Sequence, residues 1–211
     1  MNRRFWPAFL LLFGLSCASS AKQTPVNGPA AAGAETAADD FGDVYRDEYR
    51  AAYRLYVNQT IGFSLRFPEG WIITEHYSGM APDIREKADA VKSQGGELML
   101  IGHTLNNIVW LRITVEPASL PLDQYFHAIR DINSAELLSD SSEHTTISGR
   151  ESVLWTYTIN ISGYKLKYRE FQFARGKYNL RVTFWTLDSL FDSFVPKMDA
   201  IGRTYAELDA F

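Results

Sequence analysis

Cysteine is nearly absent from this chain: Cys17 is the sole example in 211 residues. A lone thiol closes no internal disulfide, so the fold has to hold without one, and a cysteine-built metal site is excluded. A basic surplus is missing as well. Lys and Arg number 21 against 25 Asp and Glu, a net charge of −4. That balance argues against a nucleic-acid partner and against a basic patch held on anionic lipid. Beyond the first few residues, no apolar run approaches the roughly 18 positions that a second membrane segment needs. The sequence has no Gly-x-Ser-x-Gly elbow, no Gly-rich phosphate loop and no His-Glu-x-x-His pair. The commonest signatures of hydrolases, nucleotide enzymes and zinc proteases are therefore lacking. No cofactor and no metal site is implied.

What is present begins at residue 1. Arg3 and Arg4 precede an apolar stretch over residues 5–15 centred on Leu10, Leu11, Leu12 and Phe13. As a helix this stretch reaches only about 16 Å, against roughly 30 Å of bilayer hydrocarbon. It reads as an export signal over residues 1–16 rather than a stable span. Phe13-Gly14-Leu15-Ser16-Cys17 closes it and resembles the lipobox of bacterial lipoproteins, with Gly14 standing where Leu is commonest. The resemblance implies cleavage before Cys17, diacylglycerol on its thiol and an acyl group, such as palmitate, on the new amino terminus. Two or three chains make a lasting anchor, where one is marginal. Ala18 rather than Asp after the cysteine implies the outer membrane, facing the periplasm, if the envelope has two membranes. Cleavage also removes Arg3 and Arg4, making the chain two charges more acidic.

Residues 17–40 then form the lipid-bearing end of a tether rich in Ala, Gly, Pro, Ser and Thr. Such a segment buries too little surface to offset its ordering entropy, and its root-mean-square reach is roughly 26 Å. Residues 41–52 change character, with Val44, Tyr45, Tyr49 and Ala52 at near-helical spacing, predicting a short helical lead-in.

A single folded domain is expected over 53–208. Strands are predicted at 54–57 and 61–67 around Asn58-Gln59-Thr60, then at 71–73 after the Pro68-Glu69-Gly70 turn. A polar helix follows Pro82 and stops at Gly95-Gly96. Strands at 97–105 and 108–116 flank Asn106-Asn107. In the second, Val109, Leu111, Ile113 and Val115 share one face, with Trp110, Arg112 and Thr114 on the other. A helix over 121–132 carries Leu122, Tyr125, Phe126 and Ile129 on one stripe. Three long strands follow at 151–161, 164–174 and 177–187. In the middle one the apolar phase shifts from Leu166 and Tyr168 to Phe171 and Phe173, predicting a bulge or bend near Glu170. A closing amphipathic helix starts near Asp188, with Pro196 expected to kink or divide it. Short loops between alternating strands predict α+β, an antiparallel β-sheet flanked by helices.

The run Tyr56-Val57-Asn58-Gln59-Thr60-Ile61-Gly62-Phe63-Ser64-Leu65-Arg66-Phe67-Pro68-Glu69-Gly70-Trp71 resembles the opening of PsbP-like domains, including DcrB-like bacterial lipoproteins. In that motif Gly62 permits a close approach, Pro68 and Gly70 make the corner and Trp71 plugs the core. The resemblance implies an α/β/α sandwich and offers no catalytic residues.

Four histidines, His76, His103, His127 and His144, fall in no ligand spacing, so surface or loop positions are expected. Asp83, Glu86 and Asp89 include helical neighbours that read as a solvated face. Trp110 and Trp185 lie on the less apolar faces of their strands beside Arg112 and Arg181. Trp110, Arg112, Arg181 and Trp185 therefore define a candidate groove, unless a second helical layer covers them. Three functional classes stay open. The first is a non-enzymatic module binding an envelope protein through a sheet face or through the segment 77–96. The others are an envelope enzyme with an unfamiliar site and a small-ligand carrier with an apolar cavity under Trp110 or Trp185.

Overall fold

The computed structural model describes residues 54–208 apart from 76, 94 and 119. The expected signal (1–16), tether (17–40) and lead-in helix (41–52), and with them Cys17, lie outside the described residues, as does His76.

The chain opens with a hairpin of β1 (Arg54–Asn58) and β2 (Phe63–Phe67), paired from Arg54–Phe67 to Asn58–Phe63. Its turn follows from Asn58, whose Oδ1 accepts the Ile61 N–H at 2.9 Å, and from Gly62, whose φ of +81° suits glycine. The Arg175 guanidinium would lie 2.9 Å from a Cβ at Gly62, so the close approach is real. Then come β3 (Trp71–Thr74), a 3₁₀ turn (Tyr77–Gly79), α1 (Pro82–Ser93), β4 (Glu97–Thr104), β5 (Trp110–Pro117) and α2 (Leu122–Asn133). Four long strands follow: β6 (Leu137–Ile147), β7 (Arg150–Ile161), β8 (Tyr164–Arg175) and β9 (Tyr178–Leu187). The described chain closes with α3 (Asp188–Gly202) and the short β10 (Ala206–Glu207).

Seven strands form one antiparallel sheet in the order β3-β4-β5-β9-β8-β7-β6, and β10 pairs with β2 to extend the hairpin to three strands. One face of the large sheet carries Leu111, Ile113, Phe171, Phe173, Leu180, Val182 and Phe184. It packs on α3 and on the inner side chains of the small sheet, among them Phe63, Leu65 and Phe67. The other face is covered by α2 over β7 and β8 and by α1 over β4. The result is the expected α+β sandwich, with helices on both sides of the sheet.

Three expectations need correction. The edge strand β6 has no counterpart in the predicted elements. Its sequence, Leu-Leu-Ser-Asp-Ser-Ser-Glu-His-Thr-Thr-Ile, is exposed over most of its length, so nothing forces apolar alternation upon it. Pairing along the length of β7 fixes it instead. No bulge exists near Glu170, because β8 pairs without a register shift against both β7 and β9. The phase change arises because both faces of β8 are covered. Leu166, Tyr168, Glu170 and Gln172 point one way, while Phe171 and Phe173 point the other. The register shift on the predicted strands falls in β4, between Leu98 and Leu100. Finally, Pro196 does not divide α3, which is one helix. Pro196 and Asp192, whose carbonyl loses its helical donor, are both exposed, where a missing helical bond costs least.

Candidate functional site

The α2-side face of the central strands β5, β9 and β8 is polar where a sheet interior is normally apolar. Period-2 alternation delivers Arg112 and Thr114 from β5, Asn179, Arg181 and Thr183 from β9, and Glu170 and Gln172 from β8 to this one layer. All seven are buried. Glu170 is the hub. Its Oε1 accepts from Arg181 Nε at 2.8 Å and Gln172 Nε2 at 2.7 Å. Its Oε2 accepts from Arg181 Nη2 at 2.9 Å and Thr183 Oγ1 at 2.9 Å. Tyr157 O–H approaches the same oxygen at 3.4 Å, and Glu116 reaches Arg181 Nη1 at 3.4 Å.

Burial alone pushes the Glu170 carboxyl up, but Arg181, Arg112 and the bond from Gln172 outweigh it and hold it below its ordinary value. Burial likewise works against charge on Arg181, and Glu170 with the other nearby acids reverses it, so that guanidinium is held more firmly protonated. Burial pulls Arg112 down. Burial also raises the Tyr157 hydroxyl well above its ordinary range and pushes Tyr168 up to about 12. Neither hydroxyl is an acid at neutral pH, and only that of Tyr157 meets a hydrogen-bond acceptor among the described residues.

Beside the charges runs a file of rings. His103 lies 4.7 Å from Trp110, Trp110 stacks on Trp185 at 6.2 Å, and Trp185 on Tyr168 at 6.1 Å. Tyr168 stacks on Tyr157 at 4.8 Å, which meets Trp155 at 4.0 Å, and Phe126 of α2 closes the file edge-on. Each contact between strands is a directly opposed cross-strand pair, while Trp155 and Tyr157 are neighbours on one face of β7. The Arg112 guanidinium sits 5.9 Å over the Trp185 ring. Trp155 Nε1 donates to Asp140, which also accepts from Arg130 of α2. Hydrogen bonding from Arg130 is the main reason the Asp140 carboxyl lies below its usual value.

Trp110, Arg112, Arg181 and Trp185 are thus brought together, but as packed side chains. Arg112, Arg181 and Trp185 are buried and Trp110 is partly so. Trp185 packs with residues of α2 and Trp110 with residues of both α1 and α2, so this layer is part of the packed interior beneath the helices. Phe184, next to Trp185 in β9, belongs to the opposite face. The polar hub around Glu170 is what sequence reasoning missed. Its signal was the same polar alternation that marked Arg112 and Arg181.

Among the described histidines, His103 stands apart from the other two, which meet at one carboxylate. His103 shares a hydrogen bond between its Nδ1 and the Thr104 carbonyl. His127 and His144 flank Asp123 at 3.5 and 3.3 Å on the exposed side of α2 and β6. Among the described residues no group of three or more His, Cys, Asp or Glu side chains is placed to hold a metal, and Asp83, Glu86 and Asp89 form none. An open concavity lies elsewhere. A cleft of about 670 Å³ separates the β1–β2 turn from α1 and the start of β4. Asn58, Gln59 and Thr60 form one wall, and Asp89 and Lys92 the other.

An antiparallel sheet with two helices on one face, and a helix plus a small sheet on the other, defines an α+β sandwich. Among solved structures, the cyanobacterial PsbP (CyanoP) of Synechocystis sp. PCC 6803 superposes with a TM-score of 0.50 at 13% identity, over 76% of this chain and 95% of its own. LpqN, described as involved in cell envelope biogenesis of Mycobacterium tuberculosis, gives a TM-score of 0.48 at 10% identity, over 78% of this chain and 95% of its own. The fold is PsbP-like. No protein-family model and no curated protein matches the sequence.

Proposed function

We propose that the chain is an envelope lipoprotein, anchored by lipid on Cys17, whose folded part binds another envelope protein and performs no catalysis. The observation that carries the binding reading is the cleft between the β1–β2 turn and α1. Its walls offer amide and hydroxyl groups at Asn58, Gln59 and Thr60, and charges of both signs at Asp89 and Lys92. That lining suits a polypeptide segment better than an apolar ligand, whose sites are mostly hydrophobic. It also includes α1, within the segment 77–96 that the sequence marks as a contact region. The carrier reading loses ground because Trp110 and Trp185 stack on each other and on their neighbours. Ala18 after the cysteine supports sorting to the outer membrane, facing the periplasm, in a two-membrane envelope.

Two measurements test this. A photo-crosslinking residue at Gln59 should capture one reproducible envelope protein, and the same group at Lys177 should not. Equal capture from both positions, or a measured catalytic turnover, overturns the binding reading. A fatty-acid analogue should label the chain and fail to label Cys17→Ser, and unchanged labelling of that variant overturns the anchor.

A further inference from the structure

The two ends of the large sheet differ in kind. At one end lie the 68–70 turn, the 105–109 turn, the β9–α3 junction, the β7–β8 turn and the start of β6. The pairings of Trp71 with Thr104, Trp110 with Trp185, Leu166 with Leu187 and Leu137 with Ile159 place these segments together. Here Ile72, Leu105, Leu138, Tyr164, Leu187 and Leu190 all remain exposed, with Leu105 at 70% and Tyr164 at 54%. The opposite end carries the turns at 95–96, 148–149 and 176–177, and no large exposed hydrophobic residue occurs in them. It is closed by ion pairs from Arg150 and Arg175 to Glu207. The two ends stand roughly 30 Å apart along the strands.

The chain enters the described fold at the apolar end. Arg54 pairs with Phe67, just before the 68–70 turn, and the Gly70 carbonyl accepts the Leu105 N–H at 3.0 Å. The first described residue, Arg54, thus lies toward the same end of the fold as Leu105. Leu55 and Val57 of β1 are exposed as well, but six of the eight large exposed hydrophobic residues among the described residues gather at this one end, and such a gathering needs an explanation that isolated exposed residues do not. Tyr164 and the neighbouring Lys165 are the side-chain types that settle at the headgroup level, ring or stem inward and polar tip in water.

We infer that this end of the sheet is a docking surface for the lipid bilayer, so that the domain rests on the membrane with its 68–70, 105–109 and 162–163 turns downward. The inference rests on the anchored reading above for its membrane. The cleft beside α1, whose wall includes Glu97 at the far end of β4, is then turned away from the lipid and left open to a partner.

The test anchors the chain by chemistry rather than by the cell. The full chain from Cys17 onward is coupled through that thiol to maleimide-headgroup lipid in phosphatidylcholine–phosphatidylglycerol vesicles. Its amide hydrogen exchange is compared with that of the uncoupled chain. Exchange should slow at 68–70, 105–109 and 162–163 and stay unchanged at 148–149 and 176–177. Leu105→Asp with Leu187→Asp, both exposed positions, should abolish the protection while leaving exchange in β7 and β8 as before. Uniform exchange, or protection at the far end, overturns the inference. So does protection that appears without vesicles as protein concentration rises, which would assign the surface to a second copy of the chain. Because the coupling is artificial, failed fatty-acid labelling in cells would remove the natural anchor without altering this result. Absent protection would remove the docking surface without touching the anchor.

Discussion

Glu170 and Arg181 meet as a fork-to-fork pair with both side chains fully buried. Nε donates to Oε1 at 2.8 Å and Nη2 to Oε2 at 2.9 Å. Such a pair contributes little net stability when intact, since desolvation offsets most of the attraction, but removing one partner strands the other. Glu170→Gln should therefore cost about 3–5 kcal/mol in urea denaturation. Arg181→Met placed on top of it should restore part of that loss. If both single and double variants match the parent, the pair has no structural role.

Acid should weaken the fold in a defined order. Glu170 and Asp140 both titrate below their ordinary values of 4.5 and 3.8 in the folded chain. A carboxyl with a depressed folded value stabilises fully above its unfolded value and loses that contribution as pH falls through the folded one. Thermal midpoints should hold steady down to about pH 5 and fall below it. Asp140→Asn should flatten the part of that fall owed to the Arg130 contact. A midpoint independent of pH from 6 to 3 would contradict the assignment.

Close packing sets a third expectation. A Cβ at Gly202 would fall 2.5 Å from the Phe171 ring, beneath the end of α3. Gly202→Ala should lower stability by about 1–3 kcal/mol through overpacking, although alanine is the better helix former. Gly202→Ala combined with Phe171→Leu should recover some of it, as read by the same denaturation curves.

Glu207 accepts from Arg150 at 2.6 Å and from Arg175 at 2.7 Å, and Arg175 lies against Gly62. Glu207→Gln should cost only about 1 kcal/mol, because these pairs border solvent. Its clearest sign should be faster amide exchange at 61–64, where β10 meets β2.

The sequence foretold most of this fold where burial is one-sided. The alternation in β5 and β9 located both strands and separated Leu111 and Leu180 from Arg112 and Arg181. It failed where burial is two-sided or absent. Covered on both faces, β8 looked broken at Glu170, and β6, covered on almost none, looked like a loop. The opening hairpin was legible from Gly62 and the Pro68–Trp71 corner. For the site, polar alternation drew attention to Arg112 and Arg181, but their burial depends on where α1 and α2 land, which no local pattern encodes. Glu170 shows the same polar alternation, but its pairing with Arg181 does not show in it, because the two lie on different strands. The cleft was equally hidden, since its walls come from segments joined only by the folded backbone.

The small sheet has a temporal meaning. The Arg66 N–H bonds Thr204 Oγ1 across 138 positions, and β10 pairs with β2 just beside it. The β1–β2 hairpin is made early in synthesis, yet its packing waits for residues 204–207. A chain that threads a narrow passage from its amino end would reach the far side with this hairpin unsealed, and would lock only when the strand that completes it arrives. The small sheet is thus complete only when residues from the two ends of the described chain have met.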